Sequence, residues 1–236
     1  MAYADVFTAS ADYARRFEGP IGEFLLEVQT RLTQQMLARF PGCAVLDVGG
    51  GHGQLALPLA ASGFDVTVLG SEGACGDPLR ALVGAGRARF QAGDLLKAPF
   101  ANMSFDVVLC YRLLPHIDEW RALIAELCRL ARWAVLVDYP TSRSLNALGG
   151  ALFGLKQHVE GNTRPFRVFS DAEIREAFEV ASFKLAARRP QFFWPMALHR
   201  ALRSPALARG LESFATQLGL TRRFGSPVLF RAEPRG

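Results

Sequence analysis

Residues 44–53 read Ala-Val-Leu-Asp-Val-Gly-Gly-Gly-His-Gly, a short apolar run that passes directly into a glycine cluster. Residues 54–61 then have the composition of a helix. Apolar and β-branched residues favour a buried strand, and glycines allow the tight backbone turn that must follow it. The stretch therefore predicts a strand, a glycine turn and a helix, in which a ligand can approach the backbone and the helix N-terminus closely.

The same alternation continues after this unit. Strand-like apolar runs cover residues 66–69, 89–91, 105–110 and 133–137, and residues 118–131 carry apolar side chains on one helical face. Strands separated by helices of this length form a parallel sheet that is covered on both faces.

Other helices and strands are predicted on both sides of this region. Residues 21–40 repeat apolar side chains at three- and four-residue steps and stop at Pro41-Gly42, which predicts an amphipathic helix. By the same criteria we expect a helix that begins at Asp77-Pro78 and another over 145–155. The capping box Ser170-Asp171-Ala172-Glu173 predicts a helix that ends near Val180. We further expect a strand over 183–187, mostly helical residues over 196–218 with a break at Pro205, and a last strand over 227–230.

The composition is that of one compact domain: half of the 236 residues are apolar and a fifth are charged. No run of 18 uncharged apolar residues is present and the first ten residues carry no basic region, so we expect a cytoplasmic protein without a spanning helix or secretory signal. The four cysteines, Cys43, Cys75, Cys110 and Cys128, form no CxxC pair, which favours reduced and mostly buried thiols.

The positive charge is concentrated in the C-terminal part of the chain. Residues 181–236 hold ten basic and only two acidic side chains, and the net charge of the whole chain is +5. Such a segment favours an anionic partner such as a phospholipid surface, nucleic acid or an acidic substrate, and a solvated arginine-rich face is the alternative. The aromatic run 192–196 lies beside His199, Arg200 and Arg203; it could receive a lipophilic or anionic substrate or belong to the core.

The glycine cluster differs from two common nucleotide-binding motifs. A phosphate-binding P-loop closes with Gly-Lys-Ser/Thr, whereas Gly53 is followed by Gln54 and Leu55. A dinucleotide fingerprint has a third glycine at the position that Gln54 occupies. The sequence therefore excludes a P-loop and disfavours a nicotinamide cofactor.

Residues 45–53 resemble the first motif of class I S-adenosylmethionine-dependent methyltransferases, in which an acidic residue stands two places before G-x-G-x-G. The resemblance extends to about Asp138. Gly93-Asp94-Leu95 with Ala98-Pro99-Phe100 is similar to the family's segment at the adenine, and residues 105–110 with Leu114-Pro115-His116 are similar to its fourth strand and the following turn.

This resemblance implies an α/β fold: a Rossmann-like, doubly wound, mostly parallel seven-stranded sheet with helices on both faces and an antiparallel last strand. It also implies one domain with three parts: a helical N-terminal cap over 1–42, a cofactor-binding core over 43–140, and substrate-side elaborations with the last strands over 141–236.

The resemblance further implies how S-adenosylmethionine is bound. The glycine loop passes the methionine moiety, Asp47 orients the loop and the ammonium group, and Asp94 meets the adenine amino group. The family usually ends its second strand with an acidic residue for the ribose hydroxyls; Gly70 and Ser71 stand there, so Ser71 or Glu72 is expected to substitute. The expected cofactor residues are Asp47, Gly49, Gly50, Gly51, Gly53, Ser71, Glu72, Asp94, Leu95, Cys110 and Tyr111.

Several subclasses of the family are disfavoured. The Asp/Asn-Pro-Pro-aromatic motif of nucleic-acid amino methyltransferases is replaced by Cys110-Tyr111-Arg112-Leu113, and no cysteine follows a proline as in cytosine C5 enzymes. Metal-dependent catechol-type enzymes place a carboxylate after the fourth strand, where none stands, although Asp138 follows the fifth. We therefore expect neither a nucleic-acid partner nor a metal.

The remaining group is similar to ubiquinone and menaquinone biosynthesis methyltransferases, which carry a histidine just beyond the fourth strand. His116 takes that position as the candidate base, and packing over the cofactor or capping the next helix is the alternative. Tyr111 is expected as a ligand contact or a core aromatic, and His52 as a support of the loop. The candidate substrate residues are Tyr13, Phe17, Phe153, His158, Arg164, Phe166 and Arg167.

The resemblance implies methyl transfer to a small or lipophilic molecule at O, N or C, with S-adenosylhomocysteine as the product. Two alternatives stay open: a natural-product O-methyltransferase acting on a hydroxylated aromatic, and a non-catalytic cofactor-binding partner protein. The basic C-terminal third is a candidate for peripheral membrane contact.

Overall fold

One seven-stranded sheet organises the part of the chain that the computed structural model describes, which is residues 5–6, 10–50, 52–145, 147 and 166–235. Its spatial order is β3-β2-β1-β4-β5-β7-β6. The strands are β1 Ala44–Val48, β2 Asp65–Gly70, β3 Arg89–Ala92, β4 Phe105–Cys110, β5 Ala131–Tyr139, β6 Phe183–Phe192 and β7 Ser226–Pro234.

Strand directions confirm the predicted fold class. β1 pairs in parallel with β2 and β4, β2 with β3, and β4 with β5. Only the last strand is reversed: β7 is antiparallel to both of its neighbours, β5 and β6. The order reverses between β1 and β4, and in open α/β sheets ligands bind in the crevice that this reversal leaves at the carboxyl ends of the strands.

Helices cover both faces of the sheet. On one face, Trp120, Leu127, Ile174 and Phe178 pack with strand residues in a hydrophobic core. On the other face, Leu37 and Leu59 pack with strand residues in a second core. The helices are α1 Ala11–Ala14, α2 Gly19–Leu37, α3 Ala56–Ala61, α4 Arg80–Gly84, α5 Trp120–Leu130, α6 Asp171–Val180, α7 Met196–Leu202, α8 Pro205–Gln217 and α9 Leu220–Phe224, with 3-10 turns at Arg15–Phe17, Gly73–Leu79 and Leu114–His116.

Two local predictions are confirmed. Ser170 and Glu173 form a reciprocal capping box that opens α6 at Asp171. The four cysteines are free and buried.

Other predicted boundaries differ from the structure. Pro78 lies inside the 3-10 turn and α4 begins only at Arg80; the Asp77 carboxylate does not cap this helix and pairs with the Arg80 guanidinium at 2.8 Å. β6 extends five residues beyond the predicted Ala187, through Pro190, which an edge strand tolerates. The helix predicted over 145–155 lies outside the described residues except at 145 and 147.

Candidate functional site

The glycine turn leaves the carboxyl end of β1 and folds against Asp47. Gly49 adopts a positive φ of 77° and donates its backbone N–H to the Leu69 carbonyl at 2.8 Å. A Cβ on Gly50 would lie 2.0 Å from Asp47 Oδ2, and one on Gly53, whose φ is 62°, would lie 2.5 Å from Leu79. The turn therefore requires glycine at all three positions. Gly51 lies outside the described residues.

Asp47 brings a buried carboxylate to the base of this turn. Its residue is 3% exposed, and burial raises the pKa of the carboxyl to about 6, while the nearby Arg112 guanidinium lowers it. A buried carboxylate without an ion pair of its own is costly. This position is therefore suited to a cationic ligand group.

The ends of β2 and β3 lie beside the turn. The backbone N–H of Gly93 donates to the Gly70 carbonyl at 2.9 Å, which places Asp94 next to the end of β2. Asp94 is exposed, and its Oδ1 accepts the Leu96 N–H at 2.9 Å. Glu72 is also exposed.

Two predicted cofactor residues lie mainly in the core. Leu95 is 1% exposed and packs into the core on the α5 face. Cys110 is completely buried at the end of β4, and burial raises the pKa of its thiol well above the usual range. Because both side chains face the interior, only their backbones are available to a ligand.

Tyr111 lies both in the core and at the glycine turn. Its hydroxyl lies 3.0 Å from the Thr33 hydroxyl on α2, within the core. The same residue lines a small cavity at the glycine turn together with Asp47, Gly49 and Gly50. The structure thus brings these four predicted cofactor residues together.

A second cavity of about 460 Å³ opens beside the first and shares Tyr13 and Arg112 with it. Its wall combines apolar residues with the side chains of Arg16, Arg112 and Arg200. Asp138 and His116 also line it. The sequence analysis did not single out Arg16 or Arg112; Arg112 has a φ of 60°, and such rare backbone conformations in non-glycine residues often mark functional sites.

Asp138 ends β5 at the wall of this larger cavity. Its Oδ1 accepts the backbone N–H of Arg112, and its Oδ2 accepts the side-chain amide of Gln29 at 3.2 Å. Burial raises the pKa of the carboxyl to about 6, and the hydrogen bond and charge of Arg112 oppose this effect. Asp138 is thus a fixed carboxylate that can titrate near neutral pH.

His116 lies at the end of a 3-10 turn and lines the same cavity. Its ring centroid is 5.8 Å from that of Phe166. The predicted base is therefore placed where a substrate can reach it. The N-cap of α5 is Glu119.

Asp5 and Ser10, in the described part of the N-terminal segment, lie against the glycine turn. His52 Nε2 is hydrogen-bonded to the Ser10 carbonyl at 2.8 Å, so His52 ties the turn to this segment. The Arg112 guanidinium lies 4.9 Å from the centre of the Phe17 ring and 5.9 Å from that of Tyr13. The N-terminal segment therefore forms one wall of both cavities, through Tyr13, and contributes Phe17 to the larger one.

The candidate substrate residues fall into three groups. Tyr13, Phe17 and Phe166 line the larger cavity. Phe153, His158 and Arg164 lie outside the described residues. Arg167 does not line the cavity: its guanidinium pairs with Glu173 at 2.8 Å and lies 5.2 Å from the Trp120 ring, because a carboxylate and an aromatic face are both within its reach.

Part of the positive charge near the C-terminus is neutralised within the chain. Arg188 pairs with Asp171, Arg209 with Glu27 and Arg235 with Glu179. Among the described helices, none has the length and apolar character needed to cross a bilayer.

Comparison with known proteins identifies related sequences. Residues 45–133 match the family described as "Methyltransferase domain". The chain is 31% identical over 125 residues to O-methyltransferase resE of Aspergillus sclerotiorum, covering 49% of this chain and 47% of that protein. It is 33% identical over 107 residues to the demethylmenaquinone methyltransferase of Renibacterium salmoninarum, covering 43% and 42%. The chain thus spans about half the length of the curated relatives it matches.

A solved structure shares the whole fold. Magnesium protoporphyrin IX methyltransferase from Synechocystis PCC 6803, solved with bound S-adenosylhomocysteine, superimposes with a TM-score of 0.67 at 18% identity, and the match covers 98% of both chains. At this identity the likeness establishes the architecture of the sheet and its covering helices.

Proposed function

We propose that this chain, of which residues 45–133 match the family described as "Methyltransferase domain", transfers a methyl group from S-adenosylmethionine to a small or lipophilic acceptor. The observation that carries the proposal is the glycine turn that closes on buried Asp47, at the carboxyl edge where the strand order reverses.

The residues around the turn fit this cofactor. Burial raises the pKa of the Cys110 thiol, and the charges of Asp138, Asp47 and Asp5 raise it further, so three carboxylates surround this point. S-adenosylmethionine carries positive charge on its sulfur and its ammonium group, which these carboxylates would stabilise. Asp47 would hold the ammonium group, and Asp94 would accept from the adenine amino group.

When bound, S-adenosylmethionine supplies a methyl group. A lone pair of the acceptor forms a bond to the methyl carbon while the carbon–sulfur bond breaks, and the electron pair of the broken bond stays on sulfur. Such a displacement depends mainly on alignment of the acceptor and on exclusion of water. Tyr13 and Phe17 would supply this by closing one wall of the larger cavity. His116 and Asp138 both line the larger cavity, where each could remove a proton from the molecule that receives the methyl group.

The larger cavity also favours a particular acceptor. Its apolar wall suits an aromatic or lipophilic body, and the guanidinium groups of Arg16, Arg112 and Arg200 suit a developing or permanent negative charge on oxygen. A hydroxylated aromatic combines both properties. We therefore place O-methylation of such a molecule first among the acceptor chemistries.

The test has two stages. Titration calorimetry with S-adenosylmethionine and S-adenosylhomocysteine should show binding of both, and formation of S-adenosylhomocysteine should then be measured with a panel of phenols, quinols and amines. Turnover with a phenol or quinol is the expected result. The absence of cofactor binding would refute the cofactor assignment, and binding without turnover of any acceptor would favour a non-catalytic binding protein.

A further inference from the structure

The carboxyl end of β2 has no room for an acidic side chain of its own. A Cβ on Gly70, the last residue of β2, would lie 2.7 Å from the Cys75 Cβ and 3.0 Å from the Phe90 ring. Gly70 therefore has to be glycine, and the next acidic residue in the chain, Glu72, is exposed.

A carboxylate from a distant part of the chain reaches this place. Asp5 Oδ2 accepts the backbone N–H of Ser71 at 2.7 Å, although 66 residues separate the two. The Asp5 Cβ lies 3.5 Å from the position that a Cβ on Gly49 would occupy, and Asp5 is completely buried. The carboxylate thus lies between the end of β2 and the glycine turn after β1.

In Rossmann-like folds, an acidic residue at this strand end accepts hydrogen bonds from the ribose hydroxyls of the cofactor. A carboxylate can accept about four hydrogen bonds, so the bond from Ser71 does not by itself prevent Asp5 from accepting one from a hydroxyl. We infer that Asp5 is the ribose-binding carboxylate of this protein, supplied by the N-terminal segment instead of by β2. This inference rests on the proposed cofactor.

The segment that carries Asp5 is fixed to the site at two further points. Ser10 is bonded to His52 of the glycine turn, and Phe17 packs under the Arg112 guanidinium. Because Asp5 is completely buried, a ribose can reach its carboxylate only if Asp5 becomes exposed, so cofactor binding and the position of Asp5 are coupled.

The first test uses the unmodified protein. Calorimetry should compare S-adenosylhomocysteine with an analogue that lacks both ribose hydroxyls, and we expect at least tenfold weaker binding of the analogue. Equal affinities would overturn the inference without any variant being made. Failure to bind S-adenosylhomocysteine at all would instead refute the proposed function.

The second test assigns the discrimination to Asp5. D5N should bind S-adenosylhomocysteine at least tenfold more weakly and should no longer distinguish it from the analogue. D77N is the matched control, because Asp77 is exposed on the adjoining 3-10 turn and pairs with Arg80 at 2.8 Å, and it should retain both affinities. Tighter binding by D5N would identify Asp5 as an obstacle to the cofactor, and unchanged discrimination would assign the ribose to another residue; either result overturns the inference.

Discussion

The side-chain amide of Gln29 donates to Asp138 Oδ2 at 3.2 Å, joining the middle of α2 to the end of β5 across 109 residues. Helix α2 therefore does more than cover the sheet. It holds Asp138, a titratable group of the larger cavity, in a defined orientation.

The stability of the folded protein should fall as pH rises from about 4.5 to 6.5. Burial raises the pKa of Asp47 and of Asp138 to about 6 from an unfolded value near 3.8, so the folded state binds more protons in this window. Each group should contribute about 2 kcal/mol of this loss, because one pKa unit corresponds to about 1.4 kcal/mol and the window covers about two thirds of the titration.

Urea unfolding across this pH window measures the effect, and D138N should flatten the pH dependence relative to the parent. The comparison stays above pH 4.5 because hydrogen bonds from Ser170 and Arg167 lower the pKa of Glu173 to about 2, which acts in the opposite direction at lower pH. A parent that gains stability between pH 4.5 and 6.5 would show that these carboxylates are ionised more easily than their burial indicates.

Gly50→Ala should weaken binding of S-adenosylmethionine at least tenfold. The added Cβ would lie 2.0 Å from Asp47 Oδ2, so either the turn or the carboxylate must shift. Gly84→Ala in α4 is the matched control, because no atom lies within 4 Å of the added Cβ. Calorimetry on both variants checks the prediction, and equal affinities would remove the turn from the cofactor site.

Asp47→Ala tests the carboxylate itself. We expect cofactor affinity to fall at least tenfold, about 1.4 kcal/mol, because an ammonium group would lose its acceptor. Removing a buried charge also removes its desolvation cost. Above pH 6 we therefore expect the variant without ligand to lose less free energy of unfolding than it loses free energy of cofactor binding. Thermal unfolding without ligand, measured beside calorimetry, separates the two effects.

Asp94→Ala should also weaken binding, through the adenine. Loss of a hydrogen bond to a charged group costs about 1.5 to 3 kcal/mol. The structure supplies a competing explanation, since Asp94 accepts the Leu96 N–H and thereby stabilises its own turn. Parental affinity combined with lower thermal stability would leave Asp94 with only this turn function.

His116→Asn distinguishes a base from a packing residue. We expect turnover by the folded variant to stay within about tenfold of the parent, because transfer to a nucleophilic oxygen depends more on alignment than on proton removal. A base would give a loss of roughly 10² to 10⁴-fold. Such a loss in a stable variant that still binds cofactor would identify His116 as catalytic.

Local chemistry explains which features could be predicted from the sequence. The turn after β1 depends on glycines that are adjacent in the chain, and the Ser170 cap on residues three apart, so both patterns are visible without a structure. The approach of Asp5 to Ser71 depends on packing between segments 66 residues apart, and no local pattern encodes it. The partners of Arg167 are equally invisible in the sequence: its neighbour Phe166 lines the cavity, whereas its own guanidinium contacts Glu173 and Trp120.

The position of β7 between β5 and β6 has a consequence for synthesis. A nascent chain that has emerged only through Phe192 has β5 and β6 without their shared neighbour, so both strands present unpaired edges that can associate with other chains. Ser226 and Pro227, at the start of β7, also line the larger cavity. The larger cavity is thus completed by a strand that is synthesised after all the other strands of the described sheet, and a chain made only through Phe192 contains the glycine turn but lacks part of the cavity wall.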